Sequence, residues 1–230
     1  MVGVAIRLAT YNIQHGRRPD GEVDVDLLAR SCAALHADVL GLQEVDVNLR
    51  RSHDADTAAV VAAECGMAFV FGEAIAVRGG QFGNALLVRG TIDDVEVLPI
   101  PDAEPRSAIV ARARLDSGEV LSVANTHLGL RGAALGELPL VLDAMRDRPV
   151  PRVVIGDFNL DPEDVEPLAE AAGFERVMSD TTWPAKQPRR TIDHVLLDGL
   201  RATAVVVVPL PVSDHLALVV DGVIQAPYDS

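Results

Sequence analysis

The chain is short of aromatic residues, with five Phe, two Tyr and one Trp among 230 positions. Its apolar content is mostly Ala, Val and Leu, so an aliphatic core is expected, with few rings on which bases could stack. Positive charge is scarce too. Lys and Arg number 20 against 34 Asp and Glu, a formal net charge of −14. That excludes a broad basic surface of the kind that holds nucleic acid by neutralising phosphates, while a locally basic cleft is compatible with it. Cysteine is nearly absent: Cys32 and Cys65 show neither metal nor redox spacing, and both are expected as small core residues in a reducing compartment. No apolar run reaches the 18 or so residues of a membrane span. The start, MVGVAIRLATYNI, lacks a basic segment followed by a long apolar stretch and a cleavage site, so a soluble, cytoplasmic protein without stable membrane insertion is expected. Internal repeats and low-complexity linkers are missing. A chain of this length that is 49% hydrophobic suits one α/β domain over 1–230, since such domains run to about 250 residues.

What the sequence does contain is a series of short β-branched runs between Gly and Pro signals. AIRLATYNI, ADVLGLQEV, NALLVR, SAIVARARL, EVLSVANTHL, RVVIGDF, IDHVLL, ATAVVVV and LALVV read as strands. DVDLLARSCAALH, ADTAAVVAAECG, LGELPLVLDAMRD and DPEDVEPLAEAAG space their apolar residues as helices do, with Asp24 and Asp161 as N-caps. SAIVARARLDSGEVLSVANTHL reads as an antiparallel hairpin turning at Asp116, Ser117 and Gly118. Helices between other strands imply mixed sheets rather than purely parallel ones.

Five of the strand segments carry polar residues at one end. IRLATYN ends on Asn12, VLGLQE on Glu44, LSVANTH on His127 and VVIGDFN on Asp157 and Asn159, while Asp214 and His215 stand just before LALVV. A lone carboxylate there is costly to desolvate. Several together point to one shared site at strand ends, where α/β scaffolds gather functional groups. Taken singly, Asn12 reads as a turn residue, Glu44 as solvent-facing, and His127 and His215 as structural histidines. Asp157 and Asn159 resist that reading, because i, i+2 spacing on an extended chain puts both on one side.

The ordered set TYN, LQEVD, GNALLVR, EPRSAIVARARL, NTHL, IGDFNLDP, TIDHVLL and SDHLAL resembles the endonuclease/exonuclease/phosphatase superfamily. The resemblance runs from about Thr10 to Leu218 and rests most on GDFN with SDH. It implies a four-layer α/β/β/α sandwich, two mixed β-sheets packed face to face with helices on both outer faces, and a cleft at one end of the sheets. It also implies a phosphoesterase dependent on Mg²⁺, with Mn²⁺ as a substitute. Hard cations take oxygen ligands and Mg²⁺ keeps several waters; no zinc-spaced Cys/His set competes.

By the same resemblance Glu44 is the principal metal ligand, Asn12 sits beside it in the metal or phosphate shell, and Asp214 binds metal directly or through water. Asp157 orients or deprotonates the attacking water, and Asn159 holds the nucleophile or a phosphate oxygen. His215 contacts the scissile phosphate with Asp193 as its oriented carboxylate partner. His127 binds phosphate or protonates the leaving oxygen. Arg106 and Asn84 are implied substrate binders, and Arg50, Arg51, Arg189 and Arg190 supply a local positive rim. The expected partner is a phosphoester, whether in nucleic acid, a lipid head group or a small phosphate, and a monomer is expected. Abasic-site enzymes of this group carry a tyrosine where His127 stands, which speaks against abasic repair. The alternative from another class is a non-catalytic module that keeps the cleft to bind a phosphate-bearing partner; it would be expected to have lost Glu44, Asp157, Asp193 or His215.

Overall fold

Period-2 alternation along the strands sorts the apolar residues into three layers. In β1 (Ala5–Asn12), Ile6 and Leu8 point to one side and Ala9 and Tyr11 to the other. The same split recurs in β8 (Arg152–Asp157), where Val153 and Ile155 face one cluster and Val154 the other. The computed structural model describes residues 5–225 apart from 78 and 102. Among these, twelve strands form two six-stranded sheets.

The first sheet runs β11 (Leu200–Val208), β12 (Ala217–Ile224), β1, β2 (Val39–Val47), β4 (Gly80–Val88) and β3 (Ala68–Val77). The second runs β5 (Gly90–Ile100), β6 (Arg106–Leu115), β7 (Val120–His127), β8, β10 (Asp193–Asp198) and β9 (Glu175–Arg176). Ile6, Leu86, Ile109 and Ile155 belong to the cluster shared by the two inner faces. Helices α1 (Val25–Ala33) and α2 (Thr57–Cys65) pack on the outer face of the first sheet, α3 (Arg131–Met145) and α4 (Pro162–Ala171) on that of the second. The expected four-layer sandwich is therefore present. Both cysteines are buried on the α1–α2 side, and among the described residues no helix is long and apolar enough to cross a membrane.

Each sheet has one parallel pair, β1 with β2 and β7 with β8, and antiparallel neighbours on both sides. The C-terminal ends of the parallel pair and the starts of β12 and β10 thus meet at the same end of the sandwich. Close approach of the sheets depends on glycine. A Cβ on Gly41 would lie 2.6 Å from Asn125 Oδ1 and 2.7 Å from Ile155 Cδ1, so any side chain there would push the sheets apart.

All four expected helices form, and Asp24 caps α1 by accepting from the Leu27 N–H at 2.8 Å. Asp161 precedes α4, with Pro162 in the first turn, but its side chain makes no cap bond. It pairs with Arg190 instead, at 2.9 and 3.1 Å. The hairpin turn at 116–118 is present, closed by the Gly118 N–H on Leu115 O. Three strands, β3, β5 and β9, were not expected. All three are sheet edges.

Candidate active site

Strand register builds the centre of the site. His127 at the end of β7 lies opposite Asp157 at the end of β8, and Asp157 lies opposite Asp193 at the start of β10. Alternation turns all three towards the first sheet, on the same face as Val123, Ile155 and Val195. Gly156, just before Asp157, has φ +150°, and a Cβ there would sit 1.9 Å from Thr126 O. Only glycine lets β8 run this close to β7.

The first sheet supplies the facing wall. Asn12 ends β1, and Glu44 sits where β2 bulges: Leu42 faces Ala85 and Val45 faces Gly83, so Gln43 and Glu44 share the span of Asn84. Glu44 has φ +57°, Asn159 +53° and Ser213 +73°, conformations uncommon for residues with side chains and concentrated at functional sites. A bulge re-aims a side chain that regular pleating would place elsewhere. Behind this wall Gln43 Nε2 donates to Asn125 Oδ1 at 2.7 Å and to Thr10 Oγ1 at 3.0 Å, while Asn125 Nδ2 donates to Leu42 O and Ala85 O. This buried amide layer ties the two sheets beneath the site, and its members escaped the sequence reading because each looks like an ordinary strand residue.

Asp157 is the hub. Its Oδ1 accepts from the Asn159 N–H at 3.0 Å, and its Oδ2 accepts from Asn12 Nδ2 at 3.0 Å. The Nε2 atoms of His127 and His215 stand 3.5 and 3.6 Å from that same Oδ2. Asn12 Nδ2 also donates to Glu44 Oε1 at 3.1 Å, while its Oδ1 accepts from the Gln14 N–H. With its oxygen engaged by the turn, Asn12 acts as a bracket for two carboxylates.

The two histidines differ in proton state. His215 Nδ1 donates to the fully buried Asp193 carboxylate at 3.0 Å. Burial pulls the His215 ring down, but the charges of Asp193 and Asp157 and the Asp193 hydrogen bond outweigh it, and the pKa is pushed up to about 10. His127 is pushed down to about 4, chiefly by burial and further by Arg106 and His215, against the pull of Asp157. Arg106 Nη1 faces His127 Nδ1 at 3.4 Å. A guanidinium has no lone pair to offer, so Nδ1 is the acceptor there; Nε2 faces both the Asn159 amide nitrogen at 3.3 Å and the Asp157 carboxylate at 3.5 Å, and with Nδ1 accepting, its proton is directed at the carboxylate. Glu44 is raised by burial and by Asp157, partly offset by its Asn12 bond.

The remaining expected residues divide. Arg106 lines the cleft, paired with Glu104 at 2.7 Å. Asn159 lines it too, with Nδ2 donating to Leu128 O at 3.0 Å. Asn84 does not reach it: the side chain is buried and Nδ2 donates to Ser107 O at 2.8 Å, clamping β4 to β6. Asp214 is turned away, accepting from Trp183 Nε1 at 3.2 Å and lining a neighbouring depression with Arg17 and Lys186. Trp183 itself, absent from the sequence reading, walls the cleft 6.4 Å from the His215 ring, centroid to centroid. Arg51 and Arg190 reach the cleft rim; Arg50 lines an adjoining cavity instead. The cleft has a volume of about 380 Å³.

Two donor sets could hold a cation. Asp157, Asp193 and His215 offer ligand atoms within 4.8 Å of one another. Glu44 and Asp157 offer an oxygen-only pair joined through Asn12, and a cation against Glu44 would relieve the burial that now disfavours its charge.

The model of the family described as Endonuclease/Exonuclease/phosphatase matches residues 9–215. No curated protein sequence matches significantly. Among solved structures, an endonuclease/exonuclease/phosphatase from Beutenbergia cavernae is 23% identical with TM-score 0.78, covering 96% of this chain and 72% of its own. The human Nocturnin catalytic domain, solved with a bound sulfate anion, is 22% identical with TM-score 0.71 and 97% coverage of both chains. A Bacteroides thetaiotaomicron mannosyl-6-phosphatase is 16% identical with TM-score 0.76, covering 95% of this chain and all of its own.

Proposed function

The chain belongs to the endonuclease/exonuclease/phosphatase family and is a metal-dependent phosphoester hydrolase, and we propose that it cleaves a phosphodiester by in-line attack of water, with Mg²⁺ as its ion. The observation that carries this reading is the single carboxylate of Asp157 held between an imidazolium and a neutral imidazole. Glu44 and Asp157 are the oxygen donors that would hold the ion, a set suited to Mg²⁺. When bound, the ion neutralises phosphate charge and assists ionisation of water.

The protein's own groups do the rest. Asp157 Oδ2 orients the attacking water and accepts its proton, with Asn12 and Asn159 fixing the carboxylate plane. His215, kept protonated by Asp193, faces the non-bridging oxygens, where a fixed positive charge is worth more in a water-poor cleft than in bulk. His127 presents its Nε2–H to the leaving oxygen. Glu44, Glu104, Asp157 and Asp193 at the cleft or its floor stand against Arg51, Arg106, Arg190 and the His215 imidazolium, so the fixed charges nearly cancel, and such a cleft suits the single charge of a diester better than the double charge of a monoester. The presence of all four groups that a binding module would be free to lose supports hydrolysis.

The test is hydrolysis of bis-p-nitrophenyl phosphate and p-nitrophenyl phosphate with Mg²⁺ or Mn²⁺. Asp157→Asn and His215→Ala should each lower kcat/KM by about 10²–10⁴-fold with the thermal midpoint checked for folding. Full metal-dependent activity in both folded variants would refute the assignment, and preference for the monoester would refute the diester part alone.

A further inference from the structure

Asp214 stands next to His215 in the chain, yet the two side chains serve opposite sides of one wall: His215 lines the cleft and Asp214 the neighbouring depression. The donors that converge at the centre, Asp157, Asp193 and His215, do not include it. Its polar atoms are directed at one segment instead. Oδ2 accepts from Trp183 Nε1 at 3.2 Å, and the backbone oxygen accepts from the Ala185 N–H at 2.6 Å. Trp183 is the only tryptophan in the chain.

Residues 182–190 form a strap tied at both ends. Thr182 and Trp183 donate their N–H groups to Arg190 O at 2.8 and 3.0 Å, and the Arg189 and Arg190 N–H groups each return a bond of 2.9 Å to Trp183 O. Thr182, fully buried, accepts on its backbone oxygen from the Leu216 N–H at 2.8 Å and on Oγ1 from the Asp193 N–H at 3.4 Å. The strap is thereby fixed beside Asp193 and just after His215. These bonds place the backbone of Trp183, and the bond to Asp214 selects the orientation of its ring, as a partly buried indole N–H requires a partner. In that orientation the indole lies 6.4 Å from the His215 ring, tilted by 49°, and both rings line the cleft. The indole thus covers one flank of His215, and a fixed positive charge acts more strongly on phosphate where water is excluded.

We propose that Asp214 is a positioning residue in this chain and no ligand of the ion: its bond holds the Trp183 indole as the wall that keeps water from His215 and keeps that ring aimed into the cleft. The inference rests on the hydrolase reading above, in which His215 faces the phosphate, and it assigns Asp214 a role other than the metal-binding one that its place beside His215 implied.

The experiment follows hydrolysis of bis-p-nitrophenyl phosphate against substrate and Mg²⁺ concentration, together with Trp183 emission in metal-free protein and the thermal midpoint of each variant. Asp214→Ala removes charge and acceptor, Asp214→Asn removes the charge and keeps an acceptor, and Trp183→Phe keeps a ring and removes the donor. Asp214→Ala and Trp183→Phe should each lower kcat by about ten-fold, with KM and the Mg²⁺ concentration for half-maximal rate within about two-fold of wild type. The double variant should be no slower than either single one, and Asp214→Asn should recover kcat to within about three-fold. Emission should move to longer wavelength and be quenched more strongly by acrylamide in Asp214→Ala, and both changes should be reversed in Asp214→Asn. Losses that multiply in the double variant, unchanged emission in Asp214→Ala, or a Mg²⁺ requirement raised about ten-fold or more in both Asp214 variants overturns the proposal. Should Asp214→Ala fail to fold, a slow Trp183→Phe beside a fast Asp214→Asn still supports it, and the reverse overturns it. Loss of activity in His215→Ala beside wild-type kcat in Asp214→Ala would overturn the positioning role alone, whereas full activity in folded His215→Ala would overturn the hydrolase reading on which it rests.

Discussion

His215 and His127 stand 3.6 and 3.5 Å from the same oxygen of Asp157, yet one side of the cleft keeps its imidazole charged and the other keeps it neutral. Both rings are buried, and burial depresses both. The difference lies in what stands behind them. His215 is backed by Asp193, an acceptor with negative charge, and His127 by Arg106, a donor with positive charge. Two copies of one residue type thereby become a fixed cation and a neutral hydrogen-bond donor. The sandwich makes this possible because the register of β10 on β8 delivers the carboxylate while β6, next to β7, delivers the guanidinium.

Exchanging the backing groups should erase the contrast. The largest effect is expected for Asp193→Asn, which keeps the shape and removes the charge: kcat/KM should drop by about 10²-fold or more, and the His215 titration, followed by NMR in metal-free protein, should move down from about 10. An unchanged His215 titration would show that Asp193 is not its support. A smaller effect, about ten-fold, is expected for Arg106→Gln. Here the His127 titration should rise from about 4, since one of the depressing charges is gone while burial stays; a ring that stays put would assign the shift to burial and the His215 charge without Arg106.

The smallest and most diagnostic effect is on stability. His215 binds its proton more tightly when folded, so its contribution is complete below about 6.5 and is lost as pH rises towards about 10. His127 binds its proton less tightly when folded, so its contribution is complete above about 6.5 and is lost as pH falls towards about 4. The limiting slope for one group is roughly 1.4 kcal/mol per pH unit. Urea unfolding of metal-free protein across this range should show Asp193→Asn flattening the alkaline limb. His127→Gln should soften only the acid limb, which it shares with the buried His194, also depressed to about 4. Loss of the same limb in both variants would contradict the assigned proton states.

Nine strands and all four helices were legible from short β-branched runs and from longer apolar segments between Gly and Pro signals; α1 and α4 carry one apolar face, whereas α2 and α3 are apolar around most of their circumference, with Leu135 and Leu140 exposed. The three strands that were not legible lie at sheet edges. β5, for example, carries Asp93, Asp94 and Glu96 with much of its length exposed. An edge needs fewer apolar residues and tolerates charge, so the pattern fades where neighbours are missing on one side. The polar strand ends were legible for the complementary reason: a carboxylate closing an apolar run is conspicuous. Asn84 was implied only by the family resemblance, and the structure places it in the middle of β4, where its amide clamps the two sheets through Ser107 O. Asp161 and Asp214 likewise found partners far along the chain, in Arg190 and Trp183.

The amino-acid sequence by itself determined a mixed α/β class, the aliphatic core and the identity of the polar groups at the strand ends, because each of these follows from local patterning and residue chemistry, while the four layers were implied only by the family resemblance. Only the tertiary structure decided which of those groups meet, which histidine carries charge, that Asn12 brackets two carboxylates, and that Arg51 borders both the cleft and its neighbouring cavity. These depend on strand order, register and a bulge, which bring together residues up to some two hundred positions apart, and proton affinity is set by the charges that such meetings create.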